Sequence, residues 1–149
     1  MKQSDLNISW QDFQLYVDKI VSDIKEAGKK YDVIVGVARG GLFLAGYLSY
    51  HLGIKEVDIV NVQTYSDRKI LDPRVLDLPK KIEGERILLV DDILDSGKTF
   101  TMLAEWMGQT NKHCDRAVLI DKGKSTIVAE YVGKKVDPNC WVVYPWEQE

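Results

Sequence analysis

Cysteine is nearly missing from this chain: it holds two, Cys114 and Cys140, without the C-x-x-C spacing of a redox or zinc pair. Histidine is as scarce. Neither His51 nor His113 has the partner spacing of a zinc site or a nucleophilic triad, so both are expected to be structural or solvated. There is no excess of positive charge. Twenty basic residues stand against 23 acidic ones, for a formal charge of −3, which gives no bulk attraction to nucleic acid or to an anionic membrane. Any anionic ligand must be held by local groups. No apolar run fits a bilayer span either: the longest candidate, Val33 to Ile54, is interrupted by Arg39 and five glycines. The opening MKQSDLNISW has no apolar segment of the secretory-leader kind, so a cytoplasmic protein with reduced thiols is expected. Repeats and low-complexity tracts are absent.

What is there suits one domain, residues 1–149, with one sizeable core: 149 residues, 45% of them hydrophobic. Ser9 with Asp12 makes a capping-box start, and Phe13, Tyr16, Val17, Ile20, Ile24 and Ala27 recur at helical spacing as far as Gly28. Val33 to Val37 reads as a buried strand, and Leu42 to Leu52 as a helix closed by Gly53. Val57 to Tyr65 reads as the next strand. Ser66 to Glu85 is charged and holds Pro73 and Pro79, which argues against a core element and for a mobile excursion. Further strands are expected at Arg86 to Val90, Arg116 to Ile120 and Ile127 to Val132, with a helix from Thr99 to about Gln109. Trp141 to Trp146 forms a late apolar run. Trp10 and Trp106 read as packing residues, whereas Trp141 could offer its face to a planar heterocycle.

The chemistry concentrates in Arg86 to Thr101, RILLVDDILDSGKTFT. A buried strand runs into Asp91 and Asp92, and the following turn, Asp95-Ser96-Gly97-Lys98-Thr99, opens a helix. In an open α/β sheet this is where ligands bind. Ser96 to Thr99 offer hydroxyls, backbone N–H groups, a permissive glycine and the positive end of a helix, which suit a phosphate. Asp91 and Asp92 suit sugar hydroxyls or a hard cation such as Mg2+. A nucleoside-triphosphate P-loop is excluded, because the position that would need its first glycine is Asp92. Helix capping would explain Asp95 or Ser96 singly, but not three carboxylates beside such a turn. Ala38-Arg39-Gly40-Gly41, between the first core strand and its helix, could let a diphosphate approach the backbone, and an ordinary glycine turn would look the same. Lys122, after the Arg116 to Ile120 strand, falls on the same sheet edge, either as a site group or as a solvated turn lysine.

The run VDDILDSGKT resembles the phosphoribosyl-diphosphate (PRPP) motif of type I phosphoribosyltransferases, and Ala38-Arg39-Gly40-Gly41 is similar to that family's pyrophosphate loop. The resemblance implies an α/β fold: a mostly parallel twisted sheet flanked by helices, with a small hood from the N-terminal and C-terminal segments. It implies PRPP binding by Arg39, Gly40, Asp91, Asp92, Asp95, Ser96, Gly97, Lys98 and Thr99, with Mg2+ at Asp92 and Asp95 as the acid–base group. The family's mobile loop opens with Ser-Tyr, here Thr64-Tyr65, and would cover about residues 66–85; Arg68, Lys69 and Arg74 compete for its diphosphate contact. Lys122 and the late Trp-hydrophobic pair resemble the bacterial branch acting on xanthine and guanine. By that likeness a purine meets Asp95, Lys122, Trp141 and the Val142 backbone. The implied partners are PRPP and a 6-oxopurine base (xanthine, guanine or hypoxanthine), in a homodimer or homotetramer of a purine salvage enzyme. Enzymes for another base, or a non-catalytic PRPP- or nucleotide-binding regulator of the same fold, are the alternatives.

Overall fold

The computed structural model describes residues 4–66, 69–108 and 112–148. Apolar strands too rich in Val, Ile and Leu to face water on either side form the centre. They are β2 (Val33–Ala38), β5 (Arg86–Leu94) and β6 (His113–Asp121), flanked by the more polar β3 (Glu56–Ser66) and β7 (Tyr131–Lys135). With β4 (Lys69–Asp77) at one edge they make a six-stranded sheet in the order β4-β3-β2-β5-β6-β7. Every pairing is parallel except β3 with β4. The fold is the α/β one expected.

Alternation along the strands divides the core between the two faces. Ile34, Leu88, Val90 and Leu119 pack with Phe13, Val17 and Ile20 of helix α1 (Trp10–Ala27) and Leu44 and Leu48 of α2 (Gly41–Leu52). Val35, Leu89 and Val118, of opposite parity, pack with Phe100, Leu103 and Met107 of α3 (Lys98–Gly108). Burial of such side chains is worth about 1.5–3 kcal/mol each. The capping box that opens α1 is present, with both Ser9–Asp12 contacts at 3.0 Å, and Gly28 closes the helix at φ 67°. Among the described residues no helix is long and apolar enough to cross a membrane. A second, two-stranded parallel sheet joins β1 (Ser4–Asn7) to β8 (Cys140–Val143), and a 3-10 turn, Pro145–Glu147, follows β8.

Several boundaries differ from expectation. The ladder of β5 does not stop at Val90: Asp91, Ile93 and Leu94 still pair with Val118, Ile120 and Asp121, so the acidic pair is carried inside a strand. The 66–85 stretch, expected to be a loop without core structure, contains β4, hairpin-paired to β3. Pro73 is tolerated because β4 is an edge strand and its register shifts between Gln63 and Tyr65 of the partner. The strand expected from Ile127 begins only at Tyr131, because the backbone N–H of Ile127 is turned onto the Ser125 hydroxyl at 3.0 Å and Val128 lies exposed. Trp10 is half exposed yet packs as expected, against Phe13, Phe43 and Trp146. Arg68 and Gln109 lie outside the described residues.

At the sheet edge where β6 begins, buried Asp115 accepts hydrogen bonds from the Tyr31 hydroxyl and from Lys29, at 3.2 Å in the latter case, with His113 Nε2 at 3.3 Å. The Tyr31 hydroxyl also meets that of Tyr131 at 2.6 Å. Burial pushes the Asp115 carboxyl up, but these donors outweigh it and hold the group below the ordinary aspartate value. His113 is thus an exposed partner of a structural carboxylate, and His51 stacks on Tyr47.

Candidate active site

Parallel strands deliver their last residues to one edge, and there the loops after β2, β5 and β6 meet. A cavity of about 1080 Å³ opens between them. Arg39, Gly40, Asp91, Asp92, Asp95, Ser96, Gly97, Lys98, Thr99, Lys122, Trp141 and Val142 all line it. Thr64 and Tyr65 fall on β3, but their side chains lie outside the described residues, as does that of Lys69. Arg74 is exposed on β4, whose Pro73 and Leu76 reach the cavity wall. The segment expected to close over the site is therefore, in its middle part, a strand beside it.

The turn after β2 passes so close to β5 that a side chain at either of its glycines would displace a neighbour. A methyl group at Gly40 would lie 2.0 Å from Asp92 Oδ2, and one at Gly41 would lie 2.7 Å from the Val90 carbonyl. Between Ala38 and Arg39 the peptide is cis, and Arg39 is exposed at the cavity. The carboxylates opposite are crowded. Asp91 Oδ1 accepts the Asp92 N–H at 2.8 Å. Burial first, then the adjacent Asp92 charge, holds the Asp91 carboxyl well above the usual carboxylate range; burial raises Asp92 too. Two acids pressed together in this way form an oxygen-only donor pair that a hard cation would relieve.

Beyond them Gly97 sits at φ 85°, a conformation that favours glycine, and reverses the chain into α3. Its carbonyl accepts both the N–H and the hydroxyl of Thr101 at 2.9 Å. The Ser96 hydroxyl lies 3.4 Å from the Lys98 N–H. With Ser96 and Lys98 exposed and Thr99 half-buried at the start of an 11-residue helix, the turn concentrates donors and positive potential, as a phosphate requires.

The opposite wall suits a flat, polar heterocycle. Asp95 and Lys122 are both buried, with Lys122 Nζ 3.7 Å from Asp95 Oδ2. Burial of Lys122 removes the reading of it as a solvated turn residue. Trp141 is half-buried at the cavity, and the Val142 side chain packs into the core, leaving its backbone for contact. Two features were missed in the sequence. Lys124 Nζ lies 2.7 Å from Asp95 Oδ1. Tyr144, Trp146 and Phe43 form a continuous stack, with centroids 4.6 and 4.3 Å apart and planes within 6° and 7°, that fastens the chain after β8 to α2 at the cavity rim. The Tyr144 hydroxyl also donates to the Asp92 carbonyl at 2.9 Å.

A mostly parallel sheet covered on both faces, with a phosphate-type helix start, an acidic pair and an arginine-glycine turn on one rim, is the arrangement of an α/β protein that takes its ligand at the strand ends. The family model described as a phosphoribosyl transferase domain matches residues 9–148, and the chain belongs to that family. It is similar to the purine phosphoribosyltransferase of Pyrococcus horikoshii, at 30% identity over 99% of this chain and 97% of that one, with a TM-score of 0.80. The xanthine-guanine-hypoxanthine phosphoribosyltransferase of Helicobacter pylori shares the fold at 23% identity, over 98% and 94% of the two chains, with a TM-score of 0.82. A hypoxanthine-guanine phosphoribosyltransferase of Bacillus anthracis is 26% identical over 91% and 84%, with a TM-score of 0.68.

Proposed function

We propose that the chain transfers the 5-phosphoribosyl group from PRPP to a 6-oxopurine, releasing diphosphate and a nucleoside monophosphate. One observation carries this reading: Arg39, Asp92, Gly97, Lys122 and Trp141 open onto a single cavity, so that diphosphate, ribose phosphate and base subsites adjoin. The identity to the Pyrococcus purine enzyme supports a purine as the acceptor base.

As the ribose–diphosphate bond breaks, positive charge grows on the sugar and negative charge on the departing diphosphate. Electrostatic stabilisation is therefore the main demand, and no covalent nucleophile is needed. Arg39 and the N–H groups of the glycine turn bind the diphosphate. Asp91 and Asp92 hold the ribose hydroxyls, while Ser96 to Thr99 hold the 5-phosphate. Asp92 would also hold Mg2+, for which the crowded acidic pair is a fitting donor set. When bound, the ion neutralises charge on the diphosphate. Asp95 accepts the proton from the purine imidazole ring as its nitrogen attacks. Lys122 meets the 6-oxo group, Trp141 stacks on the ring and the Val142 backbone reads its edge. The β3–β4 hairpin, which carries Thr64 and Tyr65 on its first strand, shields the activated sugar from water.

Assays with PRPP and each of xanthine, guanine, hypoxanthine, adenine and orotate, with magnesium present or withheld, test the reading. Nucleotide formation from the 6-oxopurines alone is expected. Nucleotide binding without turnover on any base would replace it with a regulatory role.

A further inference from the structure

We infer that Lys124 is a positioning residue for Asp95, bracing the carboxylate from outside the cavity while Lys122 faces the base from within. The inference rests on the proposed phosphoribosyl transfer and adds to it a residue outside the recognised motifs. After β6 the chain reverses at Gly123, φ 71°, where the Gly123 N–H donates to Asp121 Oδ1 at 2.8 Å. This reversal sends the two lysines that flank Gly123 to different oxygens of one buried carboxylate: Lys122 toward Oδ2 at 3.7 Å, Lys124 onto Oδ1 at 2.7 Å. Among the described residues Lys122 lines the cavity and Lys124 does not. Lys124 therefore acts through Asp95 and not on the ligand.

The next residue extends the brace. A methyl group at Gly97 would fall 2.2 Å from the Ser125 hydroxyl, so Ser125 lies directly against the phosphate turn. Residues 122–125 thus contact both Asp95 and Gly97, the start and the middle of the turn that joins the base and phosphate subsites. An ammonium paired with one oxygen favours one orientation of the carboxylate, and an acid–base group must be within hydrogen-bond reach of its proton. Lys124 is part-exposed at 39% of its side chain, so it can be changed with little effect on the core.

The test compares the wild-type chain with Lys124→Gln and Lys124→Arg. In steady-state assays Lys124→Gln should lower kcat roughly 10- to 100-fold, the scale of a misplaced reacting group, while the KM for PRPP changes less than about twofold. Lys124→Arg should recover most of the loss. Calorimetry supplies an arm independent of turnover: Lys124→Gln should weaken guanosine monophosphate about tenfold and leave ribose 5-phosphate, which has no base to meet Asp95, unchanged. A kcat within about threefold of wild type, equal weakening of both ligands, or an arginine variant as impaired as the glutamine one would each overturn the inference. Absence of wild-type turnover on every base would refute the proposed reaction instead, and calorimetry would still decide the role of Lys124.

Discussion

Replacing Gly40 by alanine separates function from stability in this fold. The backbone at Gly40 is right-handed helical, φ −58° and ψ −36°, which alanine adopts without strain. Loss of glycine freedom in the unfolded chain would by itself stabilise by about 0.4–1 kcal/mol. The new methyl would nevertheless stand 2.0 Å from Asp92 Oδ2, whereas ordinary contact begins at 3.4 Å. The carboxylate must retreat by the difference, about 1.4 Å, and it can, because it is the end of a half-buried side chain. A displacement of about 1 Å among groups that position a reacting ligand costs on the order of 100-fold in rate. Gly40→Ala should therefore lower kcat/KM for PRPP roughly 100-fold with a melting temperature equal to or above that of the wild type. Gly41→Ala provides the contrast: its methyl meets the Val90 carbonyl at 2.7 Å and the Asp91 Cα at 3.2 Å, backbone that cannot step aside. That variant should lose about 1–3 kcal/mol, or about 2–4 °C per kcal/mol in thermal unfolding. Steady-state kinetics beside calorimetric melting decides the matter. A Gly40→Ala enzyme with kcat/KM for PRPP within about threefold of wild type would refute the placement of Asp92 in the PRPP subsite.

Asp95→Ala should cut turnover by about 100-fold or more while PRPP affinity stays near that of the wild type; near-normal turnover would remove Asp95 from the mechanism. Trp141→Ala should raise the KM for the purine more than the KM for PRPP, and an equal rise in both would count against stacking. At the far edge of the sheet, the Asp115 carboxyl is held below its ordinary value of 3.8. Its contribution to stability is therefore present above that pH and is lost as pH falls through the lower folded-state value. Asp115→Asn should cost about 2–3 kcal/mol at pH 7, shrinking below about pH 4, as read by denaturant titrations across pH; a constant difference would contradict the assignment.

The two glycine-rich turns and the acidic pair were legible in the sequence because their chemistry is local: the residues that build each turn are neighbours in the chain. Parallel topology then carries Arg39, Asp92 and Lys122 to one edge without any knowledge of their contacts. β4 was illegible because Pro73 and mixed charge mark loops as readily as they mark an edge strand, and only its pairing with β3 distinguishes the two. The start of β7 was misread because Ile127 and Val128 are apolar yet belong to a turn fixed by Ser125. Lys124 and Phe43 escaped notice for another reason. Their partners, Asp95 and Trp146, are distant in the chain, and no periodicity announces a contact between separate loops.

The most direct measurement is electron density for crystals of the protein with a bound 6-oxopurine nucleoside monophosphate. The account predicts the 5-phosphate on Ser96 to Thr99, the ribose hydroxyls on Asp91 and Asp92, and the base between Trp141 and Lys122 with its imidazole edge toward Asp95. Density that puts the phosphate away from Gly97, or the base outside the wall formed by Lys122 and Trp141, would contradict it.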